Sequence, residues 1–209
     1  MNRSKANFRI YNGKTLKILS DNIKPIILSL IFASGVISGA SSINQQTELS
    51  VKINEYINNH ILYKSGQGIT DIFLNSLTSN SIFLILNIFL SFSLLGYALI
   101  IWLPFLKGLG VGTVSGFLYS SYGITGFGYS LLTIFPGVII STFALIIACN
   151  AGCEYSKNAY AKAITGKGQF EKGETKFFLL KQMIYLCICI ISSLIDTAFS
   201  VVFLKFFEF

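Results

Sequence analysis

The sequence predicts an all-α fold, a polytopic membrane bundle of about five transmembrane helices in one domain spanning residues 1–209, and three observations carry that prediction. The chain is 53% hydrophobic and only 12% charged, with 19 Phe and a mean hydropathy of +0.65, too apolar for an ordinary soluble domain. Four apolar runs approach or exceed the roughly 20 residues that cross a hydrocarbon core. Between them lies a glycine ladder, Gly108, Gly112 and Gly116, whose four-residue spacing puts three glycines on one helical face and leaves a groove for another backbone.

The first run, Pro25–Ser42, follows a basic segment, residues 1–24, and precedes the small residues Gly39-Ala40-Ser41-Ser42. The length of the basic segment and the spans that follow favour a retained anchor over a cleaved signal peptide. Leu16, Leu19 and Ile23 form an apolar stripe beside Lys14, Lys17 and Lys24, which suits a helix resting on anionic lipid. Residues 43–80 read as an outside loop, where Leu49, Ile53, Ile57 and Ile61, then Ile69, Ile72, Phe73 and Leu77, recur at helical spacing and predict amphipathic helices along the outer interface. The second span is read over Ser81–Leu106, the ladder as a short third span over Gly108–Tyr122, and the fourth over Tyr129–Ala151. Residues 152–181 form a basic cytoplasmic loop, and the last span is Gln182–Phe207.

Charge decides whether the short ladder crosses the membrane. If it crosses, the basic residues of the amino end, Lys107 and the loop from Lys157 to Lys181 share one side, thirteen against Lys52, Lys64 and Lys205 on the other. If it dips and returns, the asymmetry falls to seven against nine. The positive-inside rule selects a crossing, with the amino terminus cytoplasmic and the carboxyl terminus outside. The net charge of +7 is thereby accounted for by topology, and no nucleic acid is expected as a partner.

No catalytic, cofactor or metal-binding constellation stands out. His60 lies alone in the outside loop, among the acids Glu48, Glu55 and Asp71, without a hydrolase motif. Cys149 and Cys153 share a helical face while Cys187 and Cys189 point apart, so all four read as small apolar fillers rather than a metal site or a disulfide frame. Asp196 is the outstanding polar residue, set between Leu194-Ile195 and Ala198-Phe199, where a charge costs at least ~2.5 kcal/mol on insertion scales. Asn87, Ser91, Ser93, Thr113, Ser115, Ser192 and Ser193 are candidate hydrogen-bond partners. No intramembrane base or second acid accompanies Asp196, so a structural carboxyl is preferred to a proton or ion site. Gly35 and Gly39 form a second four-residue glycine pair in the first span, and Pro104 and Pro136 favour kinks or helix boundaries on either side of the ladder.

The order Lys107-Gly108-x-Gly110-x-Gly112-Thr113-Val114-x-Gly116-Phe117-Leu118, then Tyr122-Gly123-x-x-Gly126, Leu131-Leu132-Thr133-Ile134-Phe135-Pro136 and Ser193-Leu194-Ile195-Asp196 resembles the stage II sporulation protein M family over nearly the whole chain. The resemblance implies a multi-pass cell-membrane protein of endospore-forming bacteria, placed at the sporulation septum and engulfing membrane. It implies a scaffold in contact with membrane lipid that recruits stage II sporulation proteins P and D, cell-wall hydrolases that remodel peptidoglycan during engulfment. Several family members have a polar or charged residue just after the Pro136 position, where this chain has Gly137.

A non-enzymatic scaffold is therefore the expected function, with Gly35, Gly39, Gly108, Gly112, Gly116, Pro136 and Asp196 as its packing or interaction residues. The alternative is a small transporter or substrate-binding membrane subunit that uses Asp196, since broken helices at the midplane mark substrate sites. An intramembrane enzyme is disfavoured, because an acid without a second acid, a His or a metal set makes no acid–base pair.

Overall fold

The computed structural model describes residues 3–43, 68–93, 95–165 and 172–203, with side chains in the first segment from Ile23 onward. Every regular element among them is helical: α1 (Arg3–Ile43), α2 (Ile69–Ser91), a single-turn α3 (Gly96–Ile100), α4 (Trp102–Tyr129), a π-helical turn (Ser130–Ile134), α5 (Phe135–Thr165) and α6 (Lys172–Phe203). Four helical stretches are long and apolar enough to cross a membrane: Ile23–Ile43, Ile69–Ser91, the near-continuous Gly96–Lys162 and Gly173–Val202.

The element bounds differ from the sequence reading in an instructive way. The run expected as one span over Ser81–Leu106 is divided: α2 ends at Ser91, and the ladder's helix begins at Trp102. Residues 69–80, expected along the outer interface, are the first half of α2, so Ile72 is buried in the bundle. Gly96 explains the break, because a Cβ there would collide with the Leu90 carbonyl. Ser156 of α5 holds the break from the side: its Oγ donates to the Ser93 carbonyl at 2.9 Å and accepts the Tyr97 N–H at 3.1 Å. Hydropathy alone cannot see this division, since the residues on both sides are equally apolar. The basic loop expected over 152–181 is also largely helical, α5 running on to Thr165 and α6 starting at Lys172. The helices extend past the apolar runs because their polar ends satisfy their own backbone, and Lys162 and Glu174 pair across the connection. His60, the stripe from Leu49 to Ile61 and the side chains of Leu16 and Leu19 lie outside the described residues.

Gly96–Lys162 folds back on itself. Gly123 takes φ 60° and ψ −136° inside α4, a conformation that side-chain-bearing residues avoid. Beyond it the chain returns along its own path: Ser130 Oγ meets Ser115 Oγ at 3.0 Å, Phe127 packs edge-on to Tyr119, and a Cβ at Gly126 would strike the Leu118 carbonyl. The returning arm passes through the π turn just before Pro136. Proline supplies no N–H and its ring crowds the carbonyl four residues back, so the backbone widens by one residue per turn instead of ending.

The helices pair through different chemistries. Helix α1 lies parallel to the first arm of α4, matching Phe32 to Gly108, Val36 to Gly112 and Ala40 to Gly116. Helices α5 and α6 run antiparallel, with Ser192 Oγ donating to the Gly137 carbonyl at 2.6 Å, Gln182 Nε2 to the Ala148 carbonyl at 3.4 Å, and Tyr155 stacked on Phe178 with centroids 4.5 Å apart. The main apolar cluster, including Leu28, Leu84, Ile100, Leu103, Leu145, Cys149 and Cys189, joins all six helices. Large apolar side chains such as Leu30, Ile37, Phe89, Ile139 and Phe143 face outward, as a lipid solvent requires. Exposed hydroxyls in α1 are satisfied within the helix: Ser29, Ser41 and Ser42 each donate to the carbonyl four residues back.

Candidate functional site

The interior combines a glycine seam with a buried polar network. In the seam, the paired faces of α1 and α4 approach until backbone meets backbone. A Cβ at Gly35 would collide with the Phe105 carbonyl oxygen, one at Gly39 with that of Leu109, one at Gly108 with that of Phe32 and one at Gly112 with that of Val36; at Gly116 it would lie 2.9 Å from Ala40 Cα. The two sets of glycines noted separately in the sequence thus face one another. Gly110, off the face, would meet nothing.

The polar network begins at Lys107. Sequence reading places this lysine in a cytoplasmic connection, because the preceding span is drawn as ending at Leu106. The helix instead starts at Trp102, one turn earlier, which carries Lys107 into the bundle with only 5% of its surface exposed. Its ammonium donates to Ser141 Oγ at 2.8 Å and Asn80 Oδ1 at 3.4 Å. Asn80 Nδ2 donates in turn to Ser193 Oγ at 3.3 Å and, at a longer 3.5 Å, to Ser76 Oγ. Ser76 completes the chain with a 2.7 Å hydrogen bond to Asp196 Oδ2. Donation therefore runs one way, from ammonium to carboxylate, and each bond polarises the next. The expectation that no intramembrane base accompanies Asp196 is corrected by Lys107.

Asp196 is held from its other side by Gly137, where a Cβ would come within 2.8 Å of the aspartate's Cβ and 3.1 Å of its Cγ. The glycine that follows Pro136 thus has a steric reason. Among the polar residues that the sequence offers as partners for Asp196, Ser193 joins this network through Asn80, whereas Ser115 bonds Ser130 and Thr113 bonds the Gly110 carbonyl, away from it. Pro136 lies at the π turn next to Gly137 rather than in the network.

Lys107 and Asp196 line one cavity of about 380 Å³, with Asn75, Ser76, Ser79 and Asn80 of α2 and Gly110 and Val114 of α4. A second polar cluster lies further along α2, where Asn87 Nδ2 donates to the Ala148 carbonyl at 3.0 Å and to Gln182 Oε1 at 3.4 Å, tying α2, α5 and α6 together. Gly152 makes room for it: a Cβ there would fall 2.5 Å from Ser91 Oγ. Both clusters sit on the buried stripe Ile72, Asn80, Leu84, Asn87 and Ser91. That stripe could have been found from the sequence, because Asn80, Asn87 and Ser91 recur at helical spacing once α2 is begun at Ile69. Cys149, Cys153 and Cys189 are buried as free thiols and Cys187 is exposed.

This order of glycines, π turn and intramembrane acid can be set against known families. The model of the Stage II sporulation protein M family matches residues 28–201. The chain belongs to that family. No curated protein and no solved structure matches it. Membership makes this Stage II sporulation protein M family chain a sporulation-related membrane protein, and the match takes in the glycine seam, the fold-back at Gly123, Lys107 and Asp196.

Proposed function

We propose that the chain is a non-enzymatic membrane scaffold of the engulfment machinery, sited at the sporulation septum and engulfing membrane. It recruits or anchors septal peptidoglycan-remodelling enzymes related to stage II sporulation proteins P and D, to which the catalysis belongs. The family match over residues 28–201 carries the reading; a backbone-to-backbone seam and a hydrogen-bonded interior, which suit a rigid platform, support it. In this reading the chain crosses the membrane five times, the two arms about Gly123 counting as separate crossings, with the amino terminus cytoplasmic and the carboxyl terminus outside. Capture of the tagged full-length protein from sporulating cells is expected to bring down cell-wall hydrolases. Recovery of neither a hydrolase nor another envelope protein would overturn the scaffold.

A second reading, a ligand-binding membrane subunit or small transporter, is favoured by one observation, the cavity that Lys107 and Asp196 share. Intramembrane charges facing a cavity mark substrate and ion pathways. Binding or uptake across a broad ligand panel should change with Asp196→Asn; indifference to that substitution would remove this reading.

A further inference from the structure

We propose that the cavity between α2 and α4 binds a zwitterionic group, with an anionic oxygen of the ligand on Lys107 and an ammonium on Asp196. The proposal rests on the ligand-binding reading above and is independent of the scaffold role.

Three features of the site carry it. Lys107 is nearly enclosed, yet its ammonium, which has three donors, makes two hydrogen bonds, both to neutral oxygens, and no ion pair with an acid among the described residues. A cation in that setting gains from a negatively charged acceptor, and the cavity is the side on which one can arrive. Asp196 lines the same cavity and is held in place by Ser76 and by the close approach of Gly137. Two intervening side chains, Asn80 and Ser76, join it to Lys107. A simple anion or cation would pair with only one of these two charges and stand near the other of its own sign, whereas a ligand that carries both signs pairs with both. The volume of about 380 Å³ falls within the range of small-ligand sites, roughly 300–1,000 Å³.

The position of the mouth suggests how such a ligand enters. Helices α2 and α4 scarcely touch, and Asn75 and Ser79 on one and Gly110 on the other are exposed while lining the cavity. The opening is thus lateral, between two helices that cross the membrane. Both a phosphatidylethanolamine headgroup and a free amino acid present an ammonium and an anionic oxygen a few bonds apart.

Gly110 permits a clean test. A Cβ there meets no other atom, and the position lies off the seam with α1 and borders the cavity; Gly128, where a Cβ likewise meets nothing, serves as the control. Full-length protein in detergent is examined by native mass spectrometry with phosphatidylethanolamine and phosphatidylglycerol, and by equilibrium binding of labelled serine. The expected result is at least tenfold preference for phosphatidylethanolamine over phosphatidylglycerol, or saturable serine binding, the two arms identifying lipid or free amino acid as the source. Gly110→Leu should reduce that binding at least tenfold and Gly128→Leu should leave it unchanged, with Lys107→Met and Asp196→Asn each weakening it in proteins whose melting shows them folded. Equal retention of both lipids without serine binding, with loss on Gly110→Leu, overturns the zwitterion and leaves a ligand site. No binding of any probe, or binding indifferent to Gly110→Leu, overturns the proposed site itself.

Discussion

A single lysine changes the meaning of a single aspartate in this protein. Asp196 alone in an apolar helix reads as a tolerated carboxyl; with Lys107 lining the same cavity it becomes one end of a directed hydrogen-bond chain. Removing the charge and removing its support should therefore both destabilise. Lys107→Met keeps the approximate length of the side chain but takes the cation from the chain that ends at Asp196 and leaves Asn80 Oδ1 and Ser141 without their charged donor, so its melting temperature in detergent should fall clearly below wild type. Asn80→Leu leaves the ammonium without one of its two acceptors and should cost about 1.5–3 kcal/mol, as for hydrogen bonds to charged groups. The glycines obey an equally local rule. Gly112→Ala forces a methyl against the Val36 carbonyl and should destabilise by about 1–3 kcal/mol. Gly110→Ala, which meets open space, should be neutral or gain ~0.5–1 kcal/mol from helix propensity. Equal thermal stability of those two variants would mean that the seam is not close-packed.

At the scale of elements, the helices divide into two kinds of pairing. Helices α1 and α4 meet over small residues with little polar contact, whereas α2, α5 and α6 are tied by amides and hydroxyls. Where apolar contact is matched by lipid, these are the two available sources of helix association. A double-mutant cycle on Asn87 and Gln182, which share the Ala148 carbonyl, should give a coupling near ~0.6 kcal/mol, the average for polar pairs between membrane helices. The fold-back at Gly123 is a third kind of device, since its backbone conformation and not its contacts makes the turn: a Cβ there would meet nothing, yet φ is +60°. Gly123→Ala should cost about 1–3 kcal/mol, read as a fall in melting temperature, while Gly128→Ala should not. Pro136 takes its role from the helix around it, because the π turn just before it absorbs the missing donor that would otherwise break the helix leading into α5.

For the whole molecule, burying Lys107 alters the charge argument without reversing it. Twelve basic residues, those of the amino end and of residues 157–181, remain to be set against Lys52, Lys64 and Lys205. The parallel match of α1 with the first arm of α4 means that both traverse the bundle in the same direction, which is compatible with the proposed five-crossing arrangement. A reporter fused at Lys167 should therefore behave as cytoplasmic, and an extracytoplasmic response there would overturn that arrangement.

The membrane class, the first apolar helix, the ladder as a packing face and the family itself were legible in the residues, because composition, four-residue spacing and the order of motifs are local properties of the chain. The division of the second apolar run was not, since Ser93, Leu95 and Gly96 lie among residues whose hydropathy continues through them and the break depends on Ser156 from another helix. That one displaced boundary hid Lys107, and with it the cavity. Which glycines face each other, and that a lysine and an aspartate 89 positions apart border the same space, are consequences of how helices pack across one another, a relation that no window along the chain contains.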